Sequence, residues 1–93
     1  MDERIAAAAE LFKVLSSPVR LRVVHELTEG PRSVAELAAV VEASPTLMSQ
    51  HLRVLRMAGL VDAEHEGRQR LYRIADEHVT HIVQDAVRHA AED

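Results

Sequence analysis

Short helix-start and helix-stop signals recur along the whole chain and limit what it can fold into. A serine before a proline predicts a helix start, because the serine caps free backbone N–H groups and proline fits the first helical position. Ser17-Pro18 and Ser44-Pro45 have this pattern, and Ser33 with Glu36 has the spacing of a capping box. Gly30 and Gly59 predict helix ends. With the apolar spacing of both terminal segments, these signals predict helices at residues 3–15, 18–29, 33–43, 45–58 and 76–92.

A β-hairpin is predicted after the fourth helix. Residues 60–65 and 69–74 are two short segments of strand-forming residues that flank the turn sequence Glu66-Gly67-Arg68. The third and fourth helices are joined by a tight turn, as in a helix-turn-helix unit, and a hairpin that follows such a unit is a wing. The sequence therefore predicts a mainly α winged helix-turn-helix fold with five helices and two strands, in a single domain over residues 1–93.

The core that this chain can build is small. The chain has 93 residues, of which 47% are hydrophobic, but many of these are Ala and Val, and domains of this size bury a modest share of their surface. One face of the first helix carries Ile5, Ala8, Phe12 and Leu15. The other apolar positions of that helix, Ala9 and Leu11, are then available to meet a partner. The alternative is ordinary packing against the core, and both can hold. We expect dimerisation through the first and last helices to add the missing burial.

The composition also bounds the compartment and the chemistry. The chain has no cysteine, which excludes disulfides, thiolate metal sites and thiol redox sensing. It has no apolar run approaching the roughly 20 residues of a membrane span, and its acidic start lacks a signal-peptide pattern. These features predict a soluble, cytoplasmic protein with no membrane partner.

The fourth helix carries a polar face that favours DNA. Residues 44–75 contain five basic and three acidic side chains, although the whole chain has a net charge of −4, and no acidic residue occurs between Ser44 and Val61. The predicted inner side of this helix has Met48, Leu52 and Leu55, and the outer side has Thr46, Ser49, Gln50 and Arg53. Such side chains suit base edges and phosphates in a major groove, whereas a solvated face more often carries Glu and Lys.

The predicted wing adds basic side chains near its tip. Arg68 and Arg70 are placed there by the turn sequence, and an arginine at a wing tip can enter a minor groove. The alternative is an ordinary exposed arginine on a hairpin. His51 and His65 have no neighbours at ligand spacing and are interpreted as surface residues.

The last helix carries a polar stripe of potential metal ligands. At about 100° per residue, five side chains fall within roughly 80° of one another, namely His78, His81, Asp85, His89 and Glu92. His78 and His89 are eleven residues apart, which is roughly 16 Å along one helix, whereas Zn–N bonds are about 2.0–2.1 Å. A single helix therefore cannot close these ligands on one ion.

Two copies of this helix, packed antiparallel, can close the site. A twofold axis near Val83 and Gln84 places residue 78 of one chain beside residue 89 of the other. Each dimer then has two sites, and each site has two nitrogen and two oxygen ligands, from Asp76, His78, His89 and Glu92. This set suits Zn²⁺ and is acceptable to Co²⁺ or Ni²⁺. The alternative is a solvated charged stripe on a dimer helix.

Several phrases in their order resemble the ArsR/SmtB family of bacterial repressors over nearly the whole chain. They are LFKVLSSPVRLRVVHEL, SVAELA, MSQHLRVLRMAGLV and EGRQRLYRI. A group of zinc and cobalt sensors in that family has D-x-H, ten residues, and then H-x-x-E or H-x-x-H on the last helix. This chain has Asp76-x-His78, ten residues, and His89-x-x-Glu92. The family's other metal site needs cysteines near the third helix. This chain has Ser33-Val34-Ala35 there, so that second site is not expected.

The resemblance implies a function and a mechanism. Family members bind palindromic operators as dimers and leave the DNA when metal binds. In the sensors, a ligating histidine donates its second ring N–H to a backbone carbonyl at the end of the recognition helix, which corresponds to Gly59 here. His81 and Asp85 lie on the same stripe and can raise the coordination number toward the octahedral preference of Ni²⁺ or Co²⁺.

Two other readings stay open at this stage. One is a DNA-binding repressor that has no metal effector, and the other is a winged-helix module that binds protein. An enzyme is not expected, because four protein ligands leave no open metal position for an activated water and no nucleophile lies beside a base.

Overall fold

A computed structural model describes residues 2–92 of the chain. Its elements are α1 (Glu3–Leu15), α2 (Pro18–Leu27), β1 (Arg32–Ser33), α3 (Val34–Val41), α4 (Pro45–Met57), β2 (Val61–Glu66), β3 (Gln69–Ile74) and α5 (Glu77–Ala91). The five predicted helices and the hairpin are confirmed. The helix ends agree with the predicted ones to within about two residues, the usual uncertainty of such boundaries. No helix within the described residues is long and apolar enough to span a membrane.

The helix starts are held by the side chains that predicted them. Ser17 accepts a hydrogen bond from the Arg20 N–H, and Ser44 accepts one from the Leu47 N–H at 3.1 Å. Ser33 and Glu36 form both bonds of the capping box, at 3.2 and 2.9 Å. Hydrogen bonds from Ser33 lower the pKa of the Glu36 carboxyl. The backbone N–H of Ser33 makes the larger contribution and its hydroxyl the smaller one. These caps are local, which is why the sequence predicts them well.

The hairpin is part of a three-stranded antiparallel sheet in the order β1-β3-β2. The short strand β1 is not among the two predicted strands. It pairs Arg32 with Tyr72 and Ser33 with Leu71, and two residues are too few to show a strand periodicity. Ser33 thus pairs with β3 and also caps α3. Through this residue the wing and the helix-turn-helix unit are fixed to each other.

The core lies between α2, α3, α4, the base of the wing and α5. Met48, Leu52 and Leu55, the predicted inner side of α4, are fully buried. They pack in a cluster with Val23, Val24, Leu37, Leu60, Val61 and Val83. Because α4 is anchored on one side only, its opposite face, with the polar residues, is presented to solvent.

The first helix faces its surroundings differently from the prediction. The predicted apolar face of α1 is largely exposed: Ile5 and Phe12 are 62% and 56% exposed, and of that face only Leu15 is buried. Leu11, which was expected to meet a partner, is half-buried against the core. The apolar spacing of a short helix identifies a face, but it does not tell whether that face meets the chain's own core or a second molecule.

Candidate nucleic-acid interface and candidate metal centre

The polar face of α4 and one face of the wing form a single concave surface. It encloses about 570 Å³. Five of the six predicted DNA-binding residues line it, namely Thr46, Ser49, Gln50 and Arg53 from α4 and Arg70 from β3. The sixth, Arg68, lies exposed in the turn between β2 and β3 and is not part of the lining. The surface combines hydrogen-bonding groups with cations, as a face that reads DNA requires.

Arg56 is a further basic residue of this surface that the sequence analysis missed. It lines the concavity together with Arg53 and is exposed. Arg56 follows Arg53 by one helical turn and lies within the same acid-free segment. The spacing of three residues was therefore sufficient to place it on this face.

Arg70 is held in place by the aromatic residue next to it on the same face of β3. Its guanidinium carbon lies 5.4 Å from the centre of the Tyr72 ring, and Tyr72 itself is buried. This distance is within the range of a cation–π interaction. The Arg70 side chain therefore extends from near the tip of the hairpin toward Tyr72 and α4.

The wing separates its charges by face. Asp62, Glu64 and Glu66 alternate along β2, so they share one side of the hairpin. The other side contains Val61 and Ala63, which are opposite Ile74 and Tyr72 in the register. Glu64 forms an ion pair with Arg73 on the acidic side. The three carboxylates of the wing thus lie on the side away from the concave surface that Arg70 lines.

His51 differs from its expected position on the surface. It is half-buried on α4, and its Nδ1 lies 3.5 Å from a guanidinium nitrogen of Arg20. Arg20 also donates from Nε to the Val14 carbonyl at 2.8 Å. His51 therefore takes part in a contact between α4 and the junction of α1 and α2.

The six predicted metal ligands lie along α5 and its two capping positions. Asp76 is the N-cap, and its Oδ1 accepts the Val79 N–H at 3.2 Å, so the other carboxylate oxygen is available. Within residues 2–92, no hydrogen bond or ion pair involves the side chains of His78, His81, His89 and Glu92, all of which are exposed. Asp85 differs, since it lies 3.7 Å from Arg88.

These ligands do not form a group on one chain. Across the part of the chain that the structure describes, no three His, Asp or Glu side chains lie close enough together to hold one metal ion. The helix is continuous from Glu77 to Ala91, which keeps His78 and His89 roughly 16 Å apart. The donor types nevertheless fit Zn²⁺, because imidazole nitrogen and carboxylate oxygen are among its usual ligands.

Gly59 forms the turn that ends α4. It has a φ of 75°, and its N–H donates to the Arg56 carbonyl while the Leu60 N–H donates to the Leu55 carbonyl. This pair of bonds is a Schellman motif, which favours glycine because of its positive φ. The carbonyl of Gly59 accepts no hydrogen bond from within residues 2–92. It is therefore available to an additional donor at the end of α4.

Comparison with known proteins gives consistent results for sequence and structure. Residues 17–63 match the model of the bacterial regulatory protein, arsR family. The HTH-type transcriptional repressor SmtB of Mycobacterium tuberculosis is 48% identical over 91 residues, which cover 98% of this chain and 67% of that protein.

Solved structures of similar proteins extend the match to the whole fold. HlyU from Vibrio cholerae has a TM-score of 0.91 at 29% identity and covers 99% of this chain and 100% of that one. Mb0332 from Mycobacterium bovis, described as a homodimeric winged helix-turn-helix DNA-binding domain, has a TM-score of 0.84 at 31% identity, with coverages of 97% and 86%. The family consists of regulators of transcription, so the expectation that the chain is not an enzyme is confirmed. The chain belongs to the arsR family of bacterial regulatory proteins.

Proposed function

We propose that this chain is a repressor that binds a palindromic operator as a homodimer and is released when Zn²⁺, or alternatively Co²⁺ or Ni²⁺, binds between its last helices. The observation that carries the proposal is the set of ligands on α5. Asp76 and His78 lie at one end of one rigid helix, and His89 and Glu92 lie at the other end. The experiment that tests it is a titration of the DNA-bound protein with Zn²⁺, in which the duplex is expected to be released.

The dimer is proposed to form through α1 and α5. Phe12 of α1 and Ile82 of α5 are exposed apolar side chains that line one cavity of about 130 Å³, with Leu15, Leu21, Val83 and Ala86. Contiguous exposed apolar surface of this kind marks an interaction site. A second copy is the fitting occupant, because it also supplies the missing half of each metal site. The homodimeric relative from Mycobacterium bovis supports this assembly.

Each metal site is proposed to combine residues of two chains. Asp76 and His78 of one protomer face His89 and Glu92 of its partner when the α5 helices pack antiparallel about Val83 and Gln84. The four ligands fix the helices relative to each other, and the bound ion supplies the link between them. His81 and Asp85 are candidates for additional ligands in a site of higher coordination, but Asp85 first has to leave Arg88.

Occupancy is proposed to reach the DNA through His89 and Gly59. A ligating histidine usually donates its other ring N–H to a nearby acceptor, which fixes the orientation of the ring. The carbonyl of Gly59 is available for this bond at the end of α4. Such a bond links the recognition helix α4 to α5 and alters the spacing of the two α4 helices in the dimer. A charge-assisted hydrogen bond of about 1.5–3 kcal/mol is comparable to a typical allosteric coupling energy of about 1–3 kcal/mol.

The DNA contacts are proposed to come from the concave surface and the wing. The α4 helix enters the major groove with Thr46, Ser49 and Gln50 near base edges, while Arg53 and Arg56 meet phosphates. In the wing, Arg70 contacts the DNA backbone and Arg68 reaches the adjacent minor groove. Because side chains alternate between the two sides of β2, the acidic residues of the wing lie on the side away from the proposed DNA contacts.

Two substitutions on α4 are expected to have different effects on DNA binding. Arg53→Ala should weaken binding to all duplexes and lower the salt slope by about one unit per protomer, because a phosphate contact is lost. Gln50→Ala should change which base pairs are preferred, at a cost of roughly 1–3 kcal/mol at one position. The measurement is fluorescence anisotropy at several salt concentrations, with duplexes selected by the protein from a random pool.

Arg22→Ala is the matched control, since Arg22 is exposed on α2 and outside the concave surface. If both α4 variants bind as the wild type does, the reading face lies elsewhere. If wild-type binding to duplex DNA depends little on salt, a module that binds protein becomes the better account.

A further inference from the structure

We propose that His65 is a DNA-phosphate contact of the wing and that it takes up a proton when the protein binds DNA. His65 is exposed on β2, directly opposite Arg70 in the antiparallel register. Residues facing each other across such a ladder have Cβ atoms about 4.5–5.5 Å apart and lie on the same side of the sheet. His65 is therefore on the same side of the wing as Arg70, whose side chain extends toward α4. This position distinguishes it from the isolated surface residue that the sequence predicted.

The charged residues that the strand register and the concave surface place on this side of the wing are cationic. Arg70 is the cross-strand partner of His65, Arg68 lies in the adjoining turn, and Arg53 and Arg56 of α4 line the concave surface together with Arg70. The acidic neighbours in sequence, Glu64 and Glu66, lie on the opposite side of the hairpin because side chains alternate along a strand. The environment thus lacks a partner for an imidazolium within the described part of the protein. A phosphate of bound DNA supplies that partner.

The consequence is a coupling between pH and DNA affinity. Imidazole is the side chain that changes charge between about pH 5 and 8. In the complex, the nearby phosphates of the DNA favour a positive charge on His65. A proton is therefore taken up with the DNA, so affinity rises as pH falls. By linkage, each such proton can change affinity by up to about tenfold per pH unit, and a dimer has two copies of His65.

This inference rests on the DNA-binding part of the proposed function and is independent of the metal. The remaining histidines have different positions. His25 and His51 are half-buried within the protomer, and the three on α5 belong to the proposed metal sites. The measurement is therefore made on metal-free protein with a chelator present, so that a failure of metal sensing leaves the result unaffected.

The experiment compares DNA affinity at pH 8 and pH 6, at constant salt, with a labelled duplex of about 30 base pairs, long enough for two half-sites one helical turn apart. The duplex is selected by the wild-type protein from a random pool. Wild type is expected to bind at least about tenfold more tightly at pH 6. His65→Gln keeps a polar side chain of similar size and should lose most of this gain. His65→Arg should bind tightly at both pH values.

The control is His25→Gln, which changes a histidine of α2 away from the wing and should retain the wild-type pH dependence. Circular dichroism of each variant at both pH values separates loss of fold from loss of contact. If His65→Gln keeps the full gain in affinity at pH 6, the proposal is wrong, because the proton is then taken up elsewhere. If wild type binds no duplex at either pH, the DNA-binding function itself fails.

Discussion

Two variants that each lose metal binding are expected to regain one site when they share a dimer. In one chain Asp76 and His78 become alanine, and in the other His89 and Glu92 become alanine. Each homodimer then lacks half of every proposed site. Its Zn²⁺ affinity should fall by more than about 100-fold, because changing residues that only orient ligands already costs about 10–100-fold. A heterodimer of the two chains has one intact site and one empty site, and should bind one ion with nearly wild-type affinity.

The heterodimer is isolated with two different affinity tags, and metal binding is measured by competition with a chromophoric chelator. His81→Ala with Asp85→Ala is the control on the same stripe, and it should keep Zn²⁺ affinity within about tenfold, since the four remaining ligands complete a tetrahedral site. A larger loss in this control would identify those two residues as ligands. If the heterodimer binds no metal tightly while wild type does, the sites are not shared between chains.

Charging the exposed apolar surface of α1 and α5 is expected to abolish DNA binding and metal binding together. Phe12→Asp with Ile82→Asp should convert the dimer to a monomer. Burial of one such side chain is worth about 1.5–3 kcal/mol, and the twofold axis presents each of them twice, so the loss is on the order of 6 kcal/mol or more. That corresponds to a rise in the dimer dissociation constant of more than about 10,000-fold. Sedimentation equilibrium measures the change directly.

Ala35→Asp with Ala39→Asp is the matched control, because it adds the same charge to exposed positions of α3, outside this surface. It should remain dimeric. A Phe12→Asp, Ile82→Asp protein that stays dimeric at micromolar concentration would place the interface elsewhere on the chain. In that case the proposed pairing of the α5 helices would also be wrong.

The sequence predicts the elements of this fold well because their boundaries are set locally. Ser17, Ser33, Ser44 and Asp76 each cap the helix that follows them, through bonds spanning three residues. Features that depend on distant parts of the chain are harder to predict from the sequence. The strand β1 exists only because Arg32 meets Tyr72 across the sheet.

The same distinction applies to the candidate sites. The spacing of residues on α4 was sufficient to group the polar side chains that line the concave surface, and Arg56 was missed although that spacing includes it. The environment of His65 required the register of the hairpin, which places it opposite Arg70. The exposed apolar side chains of α1 and the candidate metal ligands of α5 are both proposed to meet a second copy of the chain, which the sequence of one chain does not describe. Periodicity within one chain therefore indicated an apolar face and a polar stripe without determining what each of them meets.

The proposed release of DNA by metal is tested by a titration of the complex. Wild-type protein bound to its selected duplex is titrated with Zn²⁺, Co²⁺ and Ni²⁺ in turn, while anisotropy reports bound DNA. At least one metal should weaken binding, by about 5–150-fold for a coupling of 1–3 kcal/mol. His89→Asp keeps an oxygen ligand but has no ring N–H to donate to Gly59, so it should bind the metal more weakly and, when saturated, stay on the duplex. If wild type saturated with each metal holds the duplex as tightly as the metal-free protein does, the chain is not a metal-released repressor.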